Sequence, residues 1–193
     1  MIKINLETFN ESWQKEYFQE SDYLLNAISP LKAKIEHIGS TSLSDGIAKP
    51  IIDILIGMDN EESVEQATEI LTKKGYIYYE VYKTISPERS HLVKVNKSIH
   101  IQRITNFEDD IIDEIGVIRK FHLHITKYNS NFWNRHVAFR DFLRENYNVR
   151  HEYFNLKKEL AKKDWRNMQE YAESKTPFIR NIENRIFKAN SGK

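Results

Sequence analysis

A six-residue apolar run with a single acid at its centre constrains this chain more than any other feature. Residues 51–56 read IIDILI, so large aliphatic side chains flank Asp53 in both directions. Such a run is typical of a central β-strand that is covered on both faces. Because burying a bare carboxylate is very costly, Asp53 must either pair with a cation or bind a metal ion. The run therefore predicts a sheet with a polar site in its middle.

A glycine-rooted turn lies a short distance before that acid. Residues 33–38 are predicted to form a strand that runs into Gly39-Ser40-Thr41. Glycine lets the backbone approach a phosphate closely, and the hydroxyl and nearby N–H groups can cradle the phosphate oxygens. A carboxylate on the neighbouring strand, here Asp53, is where a Mg²⁺ ion that bridges the phosphates would be held. The two segments together have the layout of a nucleotidyltransferase active site.

The same segments resemble the GrpB family. The resemblance rests on EHIGSTS at residues 36–42 and AKPIIDIL at residues 48–55, and further motifs follow in the family's order. These are YFQE at 17–20, HLH at 122–124, FRDFLR at 139–144, Tyr153, and the pairs at 156–157 and 160–161. The resemblance spans nearly the whole chain. It implies membership of the nucleotidyltransferase superfamily and kinship with proteins that are fused to dephospho-CoA kinase.

The hydrophobic pattern predicts one domain over residues 1–193, with a mixed sheet in residues 1–126 and helices in residues 127–193. The expected fold class is α/β (α+β), a nucleotidyltransferase-like mixed β-sheet flanked by helices with an α-helical C-terminal layer. Predicted strands span 33–38, 51–56, 76–82, 91–95, 98–104 and 121–125. Predicted helices span 10–28 and 59–74, with a terminal helix that starts at Thr176-Pro177. The acidic stretch 106–116 is predicted to be an inserted loop or short helix.

Composition excludes several kinds of protein. The net charge is +1 with 30% charged residues, so nucleic-acid binding is unsupported unless a local patch provides it. The chain has no cysteine, which excludes disulfides, thiolate zinc sites and thiol catalysis. No apolar run has the length of a signal peptide or of a membrane span. We therefore expect a cytoplasmic protein without a membrane partner.

A metal site around Asp53 needs further ligands. The superfamily pattern expects a second acid two residues later, where this chain has Leu55, and a third on a later strand. Glu36, and the strand histidines His122 and His124, are the predicted additional ligands beside Asp53. Because imidazole suits Mn²⁺ better than Mg²⁺, the expected cofactor is Mg²⁺ or Mn²⁺, with the histidines favouring the latter. The alternatives are a structural ion pair of Asp53, for example with Lys49, and half-exposed strand histidines without a ligand role.

Basic side chains for a phosphate chain are available in three places. Lys49 lies just before Asp53, and Arg89 follows the Ser86-Pro87 turn. His136, Arg140 and Arg144 are four residues apart and would form a cationic stripe along one helix face, from which Arg140 would contact the anion. Tyr153 and Lys157 form a similar but weaker pair. The alternatives are a solvated Lys49 and an Arg140 that pairs with neighbouring helices.

Three functional classes are compatible with these residues. The first is metal-dependent transfer of a nucleoside monophosphate from an NTP to an unknown acceptor, with Asp53 as the catalytic residue. The second is a catalytically degenerate module that binds a nucleotide, a CoA-related compound or another phosphorylated small molecule, and Leu55 favours it. The third is a histidine phosphoesterase, suggested by His124-Ile125-Thr126. That chemistry needs two His-x-Thr/Ser elements, and no other histidine of the chain supplies the second.

Overall fold

The apolar run around Asp53 forms the second strand of a five-stranded mixed sheet. In the computed structural model, which describes residues 1–107 and 116–190, the strands are β1 (Glu7–Thr8), β2 (Lys34–Ile38), β3 (Ile47–Ala48), β4 (Ile52–Met58), β5 (Ile77–Tyr78), β6 (Arg89–Val95) and β7 (Arg119–Lys127). The helices are α1 (Ser12–Ala27), α2 (Glu61–Lys73), α3 (Asn131–Glu145), α4 (Tyr147–Ala161), α5 (Met168–Glu173) and α6 (Thr176–Asn190). The predicted class, a mixed sheet flanked by helices, is confirmed.

The sheet order is β2-β4-β7-β6-β5, and β1 and β3 form a separate antiparallel pair. The central strands β4 and β7 run parallel, whereas β2, β6 and β5 join the sheet by antiparallel pairing. Asp53 pairs with His122 across β4 and β7, and His124 pairs with His91 across β7 and β6. Since paired residues share a face and every second residue does too, this register brings Asp53 and the three histidines to one face.

The opposite face of the sheet is apolar and packs against α1 and α2. Ile52, Ile54 and Ile56 of β4 belong to that core together with side chains of both helices. Helix α2 starts at a cap, since the side chain of Asn60 accepts a hydrogen bond from the backbone N–H of Ser63 at 2.8 Å. The predicted helix with an Asp59 or Asn60 cap is therefore confirmed. The alternation along β4 explains how one strand has an aliphatic and a polar face.

The C-terminal helices cover the polar face of the sheet. Leu55 points to that side, where it packs with Ile38, Phe132 and Trp133. A Cβ atom added to Gly57 would lie 2.6 Å from the Trp133 ring, so β4 and α3 are in close contact at this end. The position at which the sequence resemblance led us to expect a second acid is thus occupied by an apolar side chain that packs α3 on the sheet.

Two predicted strands are wrong in whole or in part. In residues 76–82 only Ile77–Tyr78 is a strand, and Glu80–Thr84 forms a 3-10 helix. Residues 98–104 contribute an isolated bridge between Tyr78 and Arg103 instead of a strand. The tyrosines have high β-propensity, but this part of the chain turns to bury Tyr79 and Val81 in a small separate core.

Part of one further prediction lies outside the described residues. The predicted insertion 106–116 includes residues 108–115, which the structure does not describe. Among the helices that the structure does describe, none has the length and apolar character needed to cross a membrane.

Candidate functional site

A pocket of about 490 Å³ lies between the polar face of the sheet and the C-terminal helices. This volume is within the range of small-molecule sites. Its wall includes most of the predicted site residues and side chains from α3 to α6. These lining residues include Gly39, Ser40, Thr41, Lys49, Asp53, Arg89, His91, Arg119, His122, His136, Tyr153, Lys157, Tyr171 and Lys175.

The glycine turn is in direct contact with Asp53. Gly39 has φ 69° and ψ −174°, a conformation that is essentially restricted to glycine, and Ser40–Ser42 then form a 3-10 helix. A Cβ atom on Gly39 would lie 2.2 Å from Oδ2 of Asp53. The buried Thr41 hydroxyl lies 3.1 Å from Nε2 of His37, which fixes the turn to β2. The structure thus brings the predicted turn and the predicted acid together, and it explains why the turn starts with glycine.

Two histidines of β7 flank the Asp53 carboxylate. Nδ1 of His122 lies 3.4 Å and Nε2 of His124 lies 3.8 Å from the same oxygen, Oδ1 of Asp53. Burial on its own would raise the pKa of Asp53, but the interactions with His122 and His124 hold that pKa well below its usual range. Burial lowers the pKa of His122, and lowers that of His124 to about 4. At neutral pH the site therefore holds one ionised carboxylate between two neutral imidazoles.

Arg89 determines which nitrogen of His124 carries the proton. Nη1 of Arg89 lies 2.9 Å from Nδ1 of His124, and a guanidinium only donates hydrogen bonds. Nδ1 must therefore accept, which leaves the hydrogen of the neutral ring on Nε2, the nitrogen that faces Asp53. The predicted phosphate ligand Arg89 lines the pocket and also orients this histidine.

His91 extends the histidine cluster on β6. Its ring centroid lies 5.1 Å from that of His122 and 5.0 Å from that of His124. Burial, followed by the charge of Arg89, lowers the pKa of His91 well below its usual value. Among the described residues, Nδ1 of His91 and Nε2 of His122 are buried and have no hydrogen-bond partner. Two imidazole nitrogens of the pocket wall are therefore left without the partner that buried polar atoms usually have.

Two predicted site residues lie in a separate cluster. Nη1 of Arg140 contacts Oε2 of Glu36 at 2.5 Å and donates to the carbonyl of His37 at 3.0 Å, while Nε binds Asp141 at 2.8 Å. Neither Glu36 nor Arg140 is part of the pocket wall. His37 faces the other side of the sheet, where it stacks on Tyr17 at 4.4 Å between ring centroids. The structure therefore does not bring Glu36 and Arg140 together with Asp53.

Three lysines line the end of the pocket formed by the helical layer. Lys49, predicted as a phosphate ligand, has Nζ 3.8 Å from the sulfur of Met168. Nζ of Lys157 donates to the carbonyl of Ile47 at 2.5 Å, and Nζ of Lys175 lies 4.4 Å from the centroid of the Tyr171 ring. The sequence did not predict a site role for Lys175, Arg119 or Tyr171. No motif spacing links these residues to site residues that lie far away along the chain.

The four predicted metal ligands, Asp53, Glu36, His122 and His124, all have protein partners: Asp53 contacts the two histidines, and Glu36 contacts Arg140. In residues 1–107 and 116–190, no group of three or more His, Cys, Asp or Glu side chains is arranged to hold a metal ion. One carboxylate does not suffice for two dications, which need several carboxylates. Asp53 and the rings of His122 and His124 lie beside each other, but Nε2 of His124 carries a hydrogen and its Nδ1 accepts from Arg89, so this ring has no free lone pair for a metal ion. The predicted set of ligands therefore does not fit a metal ion among the described residues, and Asp53 is the carboxylate of that set that lines the pocket.

Comparison with known proteins identifies the family. The family model described as GrpB protein matches residues 3–185. The chain is 30% identical over 186 residues to the glutamate-rich protein GrpB of Alkalihalophilus pseudofirmus, covering 95% of this chain and 96% of that protein. It is 29% identical to the protein YqkA of Bacillus subtilis. That match covers 94% of this chain but only 46% of YqkA.

A solved structure agrees with the fold. The crystal structure of the conserved protein GrpB from Enterococcus faecalis superposes with a TM-score of 0.74 at 29% sequence identity. The match covers 96% of this chain and 99% of that chain. The overall fold is therefore shared with a protein whose structure has been determined by experiment.

Proposed function

This chain belongs to the GrpB family, and from that premise we propose that it is a nucleotidyltransferase-like protein that binds the phosphates of a nucleotide beside Asp53. The observation that carries the proposal is the contact between the glycine turn and Asp53 in the wall of a basic pocket. The space that a Cβ atom of Gly39 would need is occupied by the carboxylate, so the backbone and the acid face the same ligand volume.

The proposed roles follow from the atoms that reach the pocket. The hydroxyl of Ser40 and the N–H groups of Ser40 and Thr41 would donate to phosphate oxygens, as turns of this kind do in other anion sites. Lys49 and Arg89 would neutralise the phosphate charge from two further sides. Their cationic groups would stabilise the charge that develops on the leaving pyrophosphate when the nucleoside monophosphate passes to its acceptor. The acceptor is proposed to be a small molecule that reaches the same pocket.

A divalent ion, Mg²⁺ or Mn²⁺, would enter the pocket with the nucleotide and bind Asp53. The phosphates of the nucleotide would complete its coordination, as is usual for ions that are held by one or two carboxylates. When bound, the ion would supply positive charge next to the phosphates. Asp53 is kept ionised by its two histidines, so it is ready to hold a cation at neutral pH.

A non-catalytic binding module is the second candidate, and one observation favours it. Leu55 occupies the place of the second acid and is fully buried against α3, so that face has no room for another metal ligand at this position. In this case the pocket would bind a nucleotide or a CoA-related compound without transferring a group. The kinship with proteins fused to dephospho-CoA kinase, which the sequence resemblance implies, is compatible with that candidate.

Calorimetric titration tests both candidates. ATP, GTP, CTP, UTP and CoA are titrated into the wild type and into Asp53→Asn, each with Mn²⁺, with Mg²⁺ and without metal. The variant keeps the size of the side chain and removes its charge. Asp59→Asn is the matched control, because Asp59 follows the same strand and is exposed. Its ligand affinities should equal those of the wild type.

The outcomes separate the candidates. Triphosphate binding that depends on metal and is lost in Asp53→Asn supports the transferase-like site, and release of pyrophosphate on addition of acceptors would then be sought. Binding that is independent of metal and equal in Asp53→Asn supports the binding module. If no ligand binds to the wild type, the proposed nucleotide function is refuted.

A further inference from the structure

The lysine cluster, defined as Lys49, Lys157 and Lys175, concentrates positive charge at one end of the pocket. The three side chains come from distant segments, namely the loop before β4, helix α4 and the residue before α6. All three line the pocket, and two of them contact one ring, because Nζ of Lys49 lies 5.4 Å and Nζ of Lys175 lies 4.4 Å from the centroid of Tyr171. The fold has therefore gathered three lysines in one pocket wall, two of them at the same tyrosine ring and the third, Lys157, over the ring of Tyr153.

The pocket wall also includes two acids, Asp53 and Glu173, but neither is paired with an ammonium group of the lysine cluster in the described part of the chain. In the part of the chain that the structure describes, Lys49, Lys157 and Lys175 form no ion pair with a carboxylate. Their contacts are a thioether, a backbone carbonyl and aromatic rings. Lys157 is only 3% exposed, so water cannot solvate its charge well either. Buried charges normally have a paired partner, and here the partner is missing from the protein itself.

The pKa values agree with this crowding. Burial, and then the charges of Lys175 and Lys49, lower the pKa of Lys157 from 10.5 to about 7. Burial and the charge of Lys49 lower the pKa of Lys175 to about 8. The Asp53 carboxylate acts in the opposite direction on all three lysines, but it does not cancel these effects. An anion bound among the three ammonium groups would remove the conflict.

The wall beside the cluster offers further donors. Tyr171 is only 1% exposed, and its buried hydroxyl has no hydrogen-bond partner among the described residues. Helix α6 begins at Thr176, which also lines the pocket, so the positive end of its dipole adds to the field. An acceptor-rich, doubly charged group matches these surroundings better than a neutral or a cationic one.

We propose that Lys49, Lys157 and Lys175 form a subsite for a phosphate group, and that the ligand of this pocket is polyphosphorylated. The inference rests on the proposed function and makes it more specific, because the glycine turn and Asp53 would hold one phosphate and the lysine cluster another. Pyrophosphate and nucleoside triphosphates then bind more tightly than the corresponding monophosphates. The lysine cluster supplies the difference in affinity.

Titration of pyrophosphate into the full chain tests the subsite without needing the nucleotide. The variants are Lys157→Met and Lys175→Met. The matched control is Lys158→Met, which changes the exposed lysine next to Lys157 in α4. Each cluster variant should weaken pyrophosphate binding about 10- to 100-fold, as expected for the loss of one charged hydrogen-bond donor. The control should bind as the wild type does. Thermal melts would check that each variant is folded. We expect folded variants, because replacing a buried charge by an apolar side chain of similar volume is often neutral or stabilising.

A second readout uses sulfate, whose charge is constant near neutral pH. Because a bound anion raises the pKa of the lysines, binding takes up protons, and sulfate affinity should fall as pH rises through about 7 to 8. The fall is ~10-fold per pH unit for each proton taken up. Titrations in buffers of different ionisation enthalpy count these protons. Lys157→Met should take up fewer protons than Lys158→Met.

The outcomes distinguish this inference from the proposed function. Pyrophosphate binding that is lost in the cluster variants supports the subsite even if no nucleotide binds, in which case only the nucleotide function fails. Nucleotide binding that is lost in Asp53→Asn but unchanged in Lys157→Met and Lys175→Met overturns the subsite and leaves the proposed function in place. Equal pyrophosphate affinity in Lys157→Met and Lys158→Met also overturns the subsite, as does a wild type that does not bind pyrophosphate.

Discussion

Replacing Gly39 by alanine perturbs the contact on which the account of this site depends. The backbone of Gly39 is in a region that other residues adopt only at a cost of about 1–3 kcal/mol. The new Cβ atom would lie 2.2 Å from Oδ2 and 3.0 Å from Cβ and Cγ of Asp53, so either the turn or the carboxylate must move. Overpacking of this kind adds about 1–3 kcal/mol. The expected loss of unfolding free energy is therefore about 2–6 kcal/mol.

Gly75→Ala is a control that separates strain from collision. Gly75 also has a positive φ, 91°, but a Cβ atom there would meet nothing within 4 Å. Its replacement should cost only the conformational strain, about 1–2 kcal/mol. Urea denaturation gives both values from the midpoint and slope of the transition. Pyrophosphate titration should show at least a 10-fold weakening for Gly39→Ala and no change for Gly75→Ala, because only Gly39→Ala displaces the N–H groups of the turn that would donate to the charged phosphate.

A double-mutant cycle locates the collision at Asp53. In an Asp53→Ala background the carboxylate is absent, so Gly39→Ala should cost less than in the wild type by about 0.5–3 kcal/mol. Two results would contradict this expectation: Gly39→Ala lowers the unfolding free energy no more than Gly75→Ala does, or it does so by the same amount in both backgrounds. Either result would show that Gly39 and Asp53 are not in close contact, and the proposed phosphate site would be refuted.

Three other predictions concern the surroundings of the pocket. Arg140→Lys should lower the unfolding free energy by about 1–3 kcal/mol through its lost carbonyl and carboxylate contacts, without changing pyrophosphate affinity; weakened affinity would contradict its placement outside the pocket. Without ligand, urea denaturation should show stability increasing from pH 7 to pH 10, because the unfolded chain binds more protons than a fold in which the pKa of Lys157 is about 7. Lys157→Met should reduce this slope and Lys158→Met should not. Arg89→Met should raise the pKa of His124 in an NMR titration, since the guanidinium charge helps to lower it; an unchanged pKa would contradict the contact.

Much of the fold could be predicted from local signals. The run around Asp53 was expected at 51–56 and forms Ile52–Met58. A helix capped by Asp59 or Asn60 was expected because either side chain can bind a free N–H of the first turn, and the cap is Asn60. The predicted strand 76–82 failed because propensity is local, whereas the turn at Tyr79 depends on a core that residues 99, 101 and 104 complete. The short strands β1 and β3 gave no periodic signal, because each has only two residues.

The site could be predicted only where its parts lie on neighbouring strands. Gly39, Asp53 and the two histidines of β7 were expected together from the superfamily pattern and from strand alternation, and the structure brings them together. Alternation alone does not show which partner a charged residue takes, so Glu36 and Arg140 were expected at the ligand although they bind each other. Lys175 and Tyr171 reach the pocket through the packing of α5 and α6 on the sheet. Such long-range packing leaves no pattern in a single sequence.

Crystals of the protein grown with pyrophosphate and MnCl₂ would show whether the pocket binds phosphate. We predict pyrophosphate between the glycine turn and the lysine cluster, and an anomalous manganese signal within bonding distance of Asp53. Pyrophosphate bound elsewhere on the molecule, with the pocket beside Asp53 unchanged, would refute the proposed phosphate site.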